Sequence, residues 1–157
     1  MLRELLSAKN VRVPLTSRTK ADLLRELVTL ALGDELRDAV ADVLRAVESR
    51  EHETSTAMGG GLGVPHGRTE YVAAMRVAGG LVRGVSDYAG PDGAPVRAVF
   101  LLLSPAHDSG GHVRLLARIA RLMHTPSSRD ALLAAVTVER FLEVVEAAEA
   151  ARPSVAM

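Results

Sequence analysis

The sequence predicts an α/β fold, a small mixed sheet flanked by helices, on three observations. Two segments between residues 19 and 47 carry apolar residues at helical spacing, an almost wholly apolar run stands at 96–103, and three more helical segments follow it. A chain of 157 residues, 48% hydrophobic and 24% charged, is long enough to bury a core of that kind. With aromatics at only 3%, the core has to be built from Leu, Val and Ala.

Residues 1–15 read as a short helix or turn leading into VRVPL, where Pro14 limits regular structure. From Thr19 a helix is expected, with Leu24, Leu27, Val28 and Ala31 on one face and Gly33 as its stop. Leu36, Ala39, Val40, Val43, Leu44 and Val47 keep the same period and define a second helix. Both helices bury one stripe and leave Arg, Asp and Glu outside. Residues 54–67, TSTAMGGGLGVPHG, break the period and read as a shaped, glycine-rich loop. Val72–Gly80 and Val96–Leu103 read as strands joined by the turn chemistry of DYAGPDGAP, the second apolar enough to be covered on both faces. After SPAHDSGG a helix is expected from about His112 to His124, with Leu116, Ile119, Ala120 and Met123 facing in. Pro126 suits the first turn of a short helix, and Thr137 suits the cap of a last one bearing Val138, Phe141, Leu142 and Val145. One domain is expected over 1–150, with 151–157 as a frayed tail.

Composition excludes several functions. Lys plus Arg (19) equals Asp plus Glu (19), so no global excess of cations favours nucleic acid. The absence of cysteine removes disulfides, thiolate metal sites and a thiol nucleophile. The N-terminus, MLRELLSAKN, carries charges where a signal peptide needs an apolar run, and no stretch reaches the roughly 18 apolar residues of a membrane span. The expectation is a cytoplasmic protein that does not insert into a membrane.

The chemistry concentrates in GLGVPHGR, residues 61–68. Glycines let backbone N–H groups approach an anion, Pro65 stiffens the chain before His66, and Gly67 leaves room beside the imidazole. A histidine on rigid backbone is a pre-organised nucleophile. Two nucleotide motifs fail: no Lys follows Lys20, so GxxxxGK[ST] is absent, and Val64 stands where GxGxxG needs its third glycine.

From Arg50 the sequence REHETSTAMGGGLGVPH resembles the IIA component (type 2 EIIA domain) of the fructose/mannitol class of the bacterial phosphoenolpyruvate-dependent sugar phosphotransferase system. The matching positions are Arg50, Glu51, Ser55, Thr56, Gly59, Gly61, Pro65 and His66. The likeness continues through VFLLLSP (Val99–Pro105), the His-led HVRLLARIARLM (His112–Met123) and the N-terminal KADLLRELVTLA. Thr54 and Ala57 stand where glycine is usual, and Gly63 and Val64 replace the commoner Ala and Ile.

The resemblance implies the layered IIA fold and a phosphotransferase that carries the phosphoryl group on a histidine. His66 accepts it from the phosphocarrier protein HPr and passes it to a IIB domain. His112 positions the phosphate by hydrogen bonding, and Arg50 offers a planar fork of donors to its oxygens. Positioning and charge stabilisation suffice for this transfer, so neither metal nor organic cofactor is implied.

Two roles share that chemistry: a sugar-transport subunit feeding IIB, and a stand-alone regulatory relative of the nitrogen type whose phosphorylation state governs binding to target proteins. The lack of a fused IIB or HPr segment tilts toward the second. A third class, zinc held by His66, His107 and His112, lacks HExxH or a telling acidic spacing.

Purely structural readings stand beside each assignment. Arg50 closes a helix, which favours arginine without function, and His112 also suits a capping or surface role. Thr54, Ser55 and Thr56 serve either the phosphate or the loop backbone. His52, His107 and His124, and the arginines Arg114, Arg118 and Arg121, read as solvated side chains. Met58, Leu62 and Val113 are either a docking patch for HPr and IIB or buried core.

Overall fold

A computed structural model describes residues 1–151. After a 3-10 turn at Leu2–Leu5, strand β1 (Val11–Arg12) leads to helix α1 (Lys20–Leu32). A second 3-10 segment, Asp34–Ala39, precedes α2 (Val40–Glu53). Strands β2 (Ala57–Gly59), β3 (Leu62–Gly63), β4 (His66–Thr69), β5 (Arg76–Ala89) and β6 (Pro95–Pro105) follow, then α3 (Ser109–His124), α4 (Pro126–Leu133) and α5 (Val138–Ala150). The sheet is six-stranded and mixed, in the order β1-β5-β6-β3-β2, with β4 also paired to β6.

Strand β6 organises the molecule because its alternate side chains enter two different cores. Val99, Leu101 and Leu103 join Leu23, Leu27, Val43 and Val47 of α1 and α2. Ala98, Phe100 and Leu102 join Ile119, Phe141 and Val145 of α3 and α5. All six β6 residues are fully buried, which is why the strand reads as a continuous apolar run. The central partner of β6 is β5, antiparallel; β3 and β4 share its other edge, both parallel.

The expected helices form, with adjustments. Thr19 caps α1 by accepting from the Asp22 N–H, and Thr137 caps α5 by accepting from the Arg140 N–H. Leu36 and Ala39 lie in the 3-10 segment, so the second helix begins at Val40. Helix α3 starts at Ser109, earlier than expected, because Asp108 caps it through the Gly111 N–H. Its buried stripe is His112, Leu115, Ile119, Leu122 and Met123, rotated from the expected one, with Leu116 only half-buried. A histidine inside the stripe disguised its phase.

The segment 54–67 is not a plain loop: it contains β2, β3 and the first residues of β4. The strand expected at Val72–Gly80 begins at Arg76 and runs on to Ala89, through irregular pairing around Gly84, whose φ is +109°. Only Gly90–Ala94 remain as the turn. Ala151 is the one tail residue described; 152–157, where fraying was expected, lie outside the described residues.

Candidate functional site

The pairing of β4 with β6 sets His66 in place. Pro65 O accepts from Leu102 N (3.0 Å), and His66 then stands opposite Leu102 in a parallel register running to Thr69↔Pro105. Gly67 permits this approach: a Cβ there would lie 3.1 Å from Cγ2 of Val47, so the room it leaves is occupied by α2. The glycine run has a different task from the anion cradle expected of it. Gly59, Gly60 and Gly61 all have positive φ and turn the β2–β3 hairpin. Gly60 N–H donates to Asp92, an acceptor already in the protein (2.9 Å). Leu62 pairs with Ala98, four β6 residues before the partner of His66, a separation of roughly 13 Å.

The Nδ1 atom of His66 lies 2.9 Å from the carbonyl oxygen of Val64. A carbonyl only accepts, so Nδ1 carries the proton and Nε2 holds the free lone pair. His112 meets this ring edge-on, with centroids 5.1 Å apart at 61°. It sits in the first turn of α3 and is buried, its Nδ1 bonded to the hydroxyl of the fully buried Ser104. Burial first, then His66, Arg68 and Arg50, pull the His112 pKa from 6.5 down to about 4. It is therefore neutral near pH 7, able to donate one N–H without a charge of its own.

Arg50 closes α2 with Nη1 donating to Thr54 O (3.1 Å), which leaves its other guanidinium N–H groups for a ligand. The structure thus brings His66 and His112 together and places Arg50 in the last turn of α2. Two members were missed. Arg68 bonds the hydroxyl of Ser109 at the start of α3 and also acts on His112. The signal was present: Arg68 is two residues after His66 on a strand, hence on the same face, and both are accessible while Gly67 and Thr69 are buried. Ser104 was signalled by a hydroxyl ending the apolar run VFLLLS.

The other candidates separate. Thr54 and Ser55 serve backbone groups, and Thr56 bonds Glu51 and Tyr88. His52, His107 and His124 are exposed, as are Arg114, Arg118 and Arg121. Among the described residues no three His, Cys, Asp or Glu side chains converge to hold a metal. Of the three docking candidates, Leu62 is buried core, whereas Met58 (53% exposed) and Val113 (64%) are on the surface. Met58 belongs to the distant β2 hairpin; Val113 adjoins His112. No helix among the described residues is long and apolar enough to cross a membrane.

The depressed pKa of His112 has a measurable consequence. The folded protein keeps His112 neutral down to about pH 4, whereas the unfolded chain protonates it near 6.5. The unfolded state therefore binds more protons between those values, and stability falls as pH falls through that window. The contribution, complete above about pH 6.5, amounts to at most about 3 kcal/mol. Urea denaturation at pH 7 and pH 5 should show a steeper loss for wild type than for His112→Gln; equal losses would refute the assignment.

Residues 4–148 match the family model "Phosphoenolpyruvate-dependent sugar phosphotransferase system, EIIA 2". The chain belongs to that EIIA 2 family. It is 28% identical over 145 residues to the fructose-specific EIIABC component of Bacillus subtilis, covering 92% of this chain but 23% of that much longer relative. The fold is similar to the nitrogen regulatory protein IIA-Ntr of Neisseria meningitidis, with a TM-score of 0.83, 29% identity, and coverage of 92% and 98% of the two chains. The Escherichia coli complex of IIA mannitol with phosphorylated IIB mannitol also contains a similar chain (TM-score 0.74, 19% identity, coverage 90% and 97%), a likeness of fold. The EIIA 2 assignment thus agrees with the resemblance seen in the loop motif and its flanking segments.

Proposed function

We propose that this EIIA 2 domain, acting over residues 1–150 in the cytoplasm, is a phosphohistidine carrier that takes its phosphoryl group from HPr on Nε2 of His66. The observation that carries this reading is the Nδ1 contact with Val64 O, which leaves the Nε2 lone pair free beside His112. Nε2 attacks phosphorus; the bond from phosphorus to the donor's leaving atom breaks, and that atom keeps the electron pair. The Nδ1–H stays on Val64 O, which stabilises the positive charge the ring acquires. His112 donates an N–H to a phosphoryl oxygen, while Arg50 supplies charge at the edge. Donation to a IIB partner is the reverse sequence with a different acceptor.

A regulatory role is the second reading. It is favoured by the greater similarity to IIA-Ntr (TM-score 0.83, 29% identity) than to the IIA mannitol chain (0.74, 19%). In that case phosphorylation adds a dianion beside His112 and Arg68, and the change of surface charge decides which protein binds. A IIB or IIC transporter encoded nearby would favour transport instead.

Intact mass after incubation with phosphoenolpyruvate, Enzyme I and HPr tests the carrier reading. One acid-labile phosphoryl group per chain is expected. No gain, with the same partners active on a control IIA protein, would overturn it.

A further inference from the structure

Behind the candidate site lies a buried polar cluster that phosphoryl transfer, as described, leaves unused. The Glu51 side chain is only 5% exposed. Its Oε1 accepts from the Thr56 N–H (3.0 Å) and lies 2.8 Å from Nζ of Lys20. Its Oε2 accepts from the Thr56 hydroxyl (2.6 Å). Burial opposes ionisation, but Lys20 and the two Thr56 donors outweigh it and hold the carboxyl below its usual range. Since the single Thr56 hydroxyl proton goes to this carboxylate, the Tyr88 hydroxyl, 2.5 Å away, is the donor to Thr56. Tyr88 is almost fully buried, and burial together with Glu51 raises its pKa, so it stays protonated for that purpose. Lys20 also sits 4.6 Å above the Tyr88 ring.

These groups come from four places: the start of α1, the end of α2, the segment before β2, and β5. Their common product is a fixed Thr56. The carbonyl of Thr56 accepts from Val64 N–H (3.2 Å), and the carbonyl of Val64 is the one that holds His66 Nδ1. The chain of contacts therefore runs from a buried carboxylate to the accepting imidazole. Gly63 belongs to it as well, because a Cβ there would stand 2.8 Å from the Tyr88 hydroxyl and exclude the ring. A buried charge, three hydrogen-bonding side chains and a glycine are an expensive way merely to close a loop, since an apolar cluster of similar volume would be no less stable.

We propose that Glu51 is a positioning residue for His66: it fixes Thr56, and through the Thr56–Val64 pairing it fixes the carbonyl that sets the tautomer and orientation of the imidazole. The proposal rests on reading His66 as the phosphoryl acceptor. Small displacements of a nucleophile cost on the order of 100-fold in rate, so Glu51→Gln is expected to slow single-turnover phosphorylation by HPr about 10- to 100-fold. The change should fall on the maximal rate, with the dependence on HPr concentration unaltered.

The deciding readout is the tautomer. Imidazole nitrogen NMR of the unphosphorylated protein should show His66 held as Nδ1–H in wild type and mixed in Glu51→Gln. Thr56→Val should reproduce the effect, and Thr56→Ser, which returns the hydroxyl, should restore most of the rate; this pair decides the matter if Glu51→Gln fails to fold. A folded Glu51→Gln with the wild-type tautomer overturns the proposal, whether or not its rate falls. Should wild type itself take no phosphoryl group, the carrier reading fails while the tautomer comparison still decides the role of Glu51.

Discussion

His66→Ala is expected to take up no acid-labile phosphoryl group under conditions that label wild type fully, a loss of at least about 1,000-fold in rate. The reason lies in what the remaining histidines lack. His112 is buried, with Nδ1 engaged by Ser104, and in the proposed reading it presents the opposite edge of the ring to the phosphate rather than attacking. His52, His107 and His124 are exposed side chains, and the ring contact in the described residues joins His66 to His112 rather than to any of them. The fold should survive the change. His66 is only half-buried, and its side chain makes its hydrogen bond to Val64 O, so a stability loss within about 1 kcal/mol is expected. Intact mass after the phosphoenolpyruvate, Enzyme I and HPr reaction, together with a thermal melt, tests both halves. Labelling of the variant at the wild-type level would move the acceptor to another residue.

Much of this arrangement was legible in the sequence because it rests on short-range physics. Helical period, the Thr137 cap and the unbroken apolar character of β6 each report local structure without reference to distant partners. The strands β2, β3 and β4 were hidden for the converse reason. They are three, two and four residues long, too short for an alternating pattern to register. Two of them exist because they pair with β6, which comes more than thirty residues later in the chain. The site shows the same division. His66, His112 and Arg50 carried the family's motif, whereas the local signals of Arg68 and Ser104 gained meaning once the β4–β6 register set the two residues opposite one another. Loop chemistry also misled: the glycines looked like an anion cradle, but their positive φ values answer the steric demand of a hairpin.

The largest loss of stability is expected from Gly80→Ala, at a position far less conspicuous than the glycine-rich loop. Gly80 pairs with Arg12 across the short parallel β1–β5 contact and with Val99 on its other side. A Cβ built there would lie 2.0 Å from the Arg12 carbonyl oxygen and 3.1 Å from Cγ of Leu15. The nearest obstacle is backbone, so no rotamer change relieves it, and β1 has to move outward. That movement breaks the bonds from Leu15 N to Leu81 O (2.7 Å) and from Gly79 N to Asn10 O (3.0 Å), and it loosens Val11 and Leu15 from their two cores. Overpacking of this kind costs up to about 3 kcal/mol before the lost pairing is counted, so a loss of about 3 kcal/mol or more is expected in urea denaturation. Gly93→Ala provides the contrast: nothing lies within 4 Å of its added methyl, and only its φ of +77° penalises alanine, by about 1 kcal/mol. If Gly80→Ala unfolds at the wild-type urea concentration, β1 does not hold the edge of β5 tightly, and the parallel pairing contributes little to the fold. If the loss appears as expected while the folded fraction still accepts a phosphoryl group, the β1 edge stabilises the sheet without shaping the site, as its separation from the β4–β6 pairing implies.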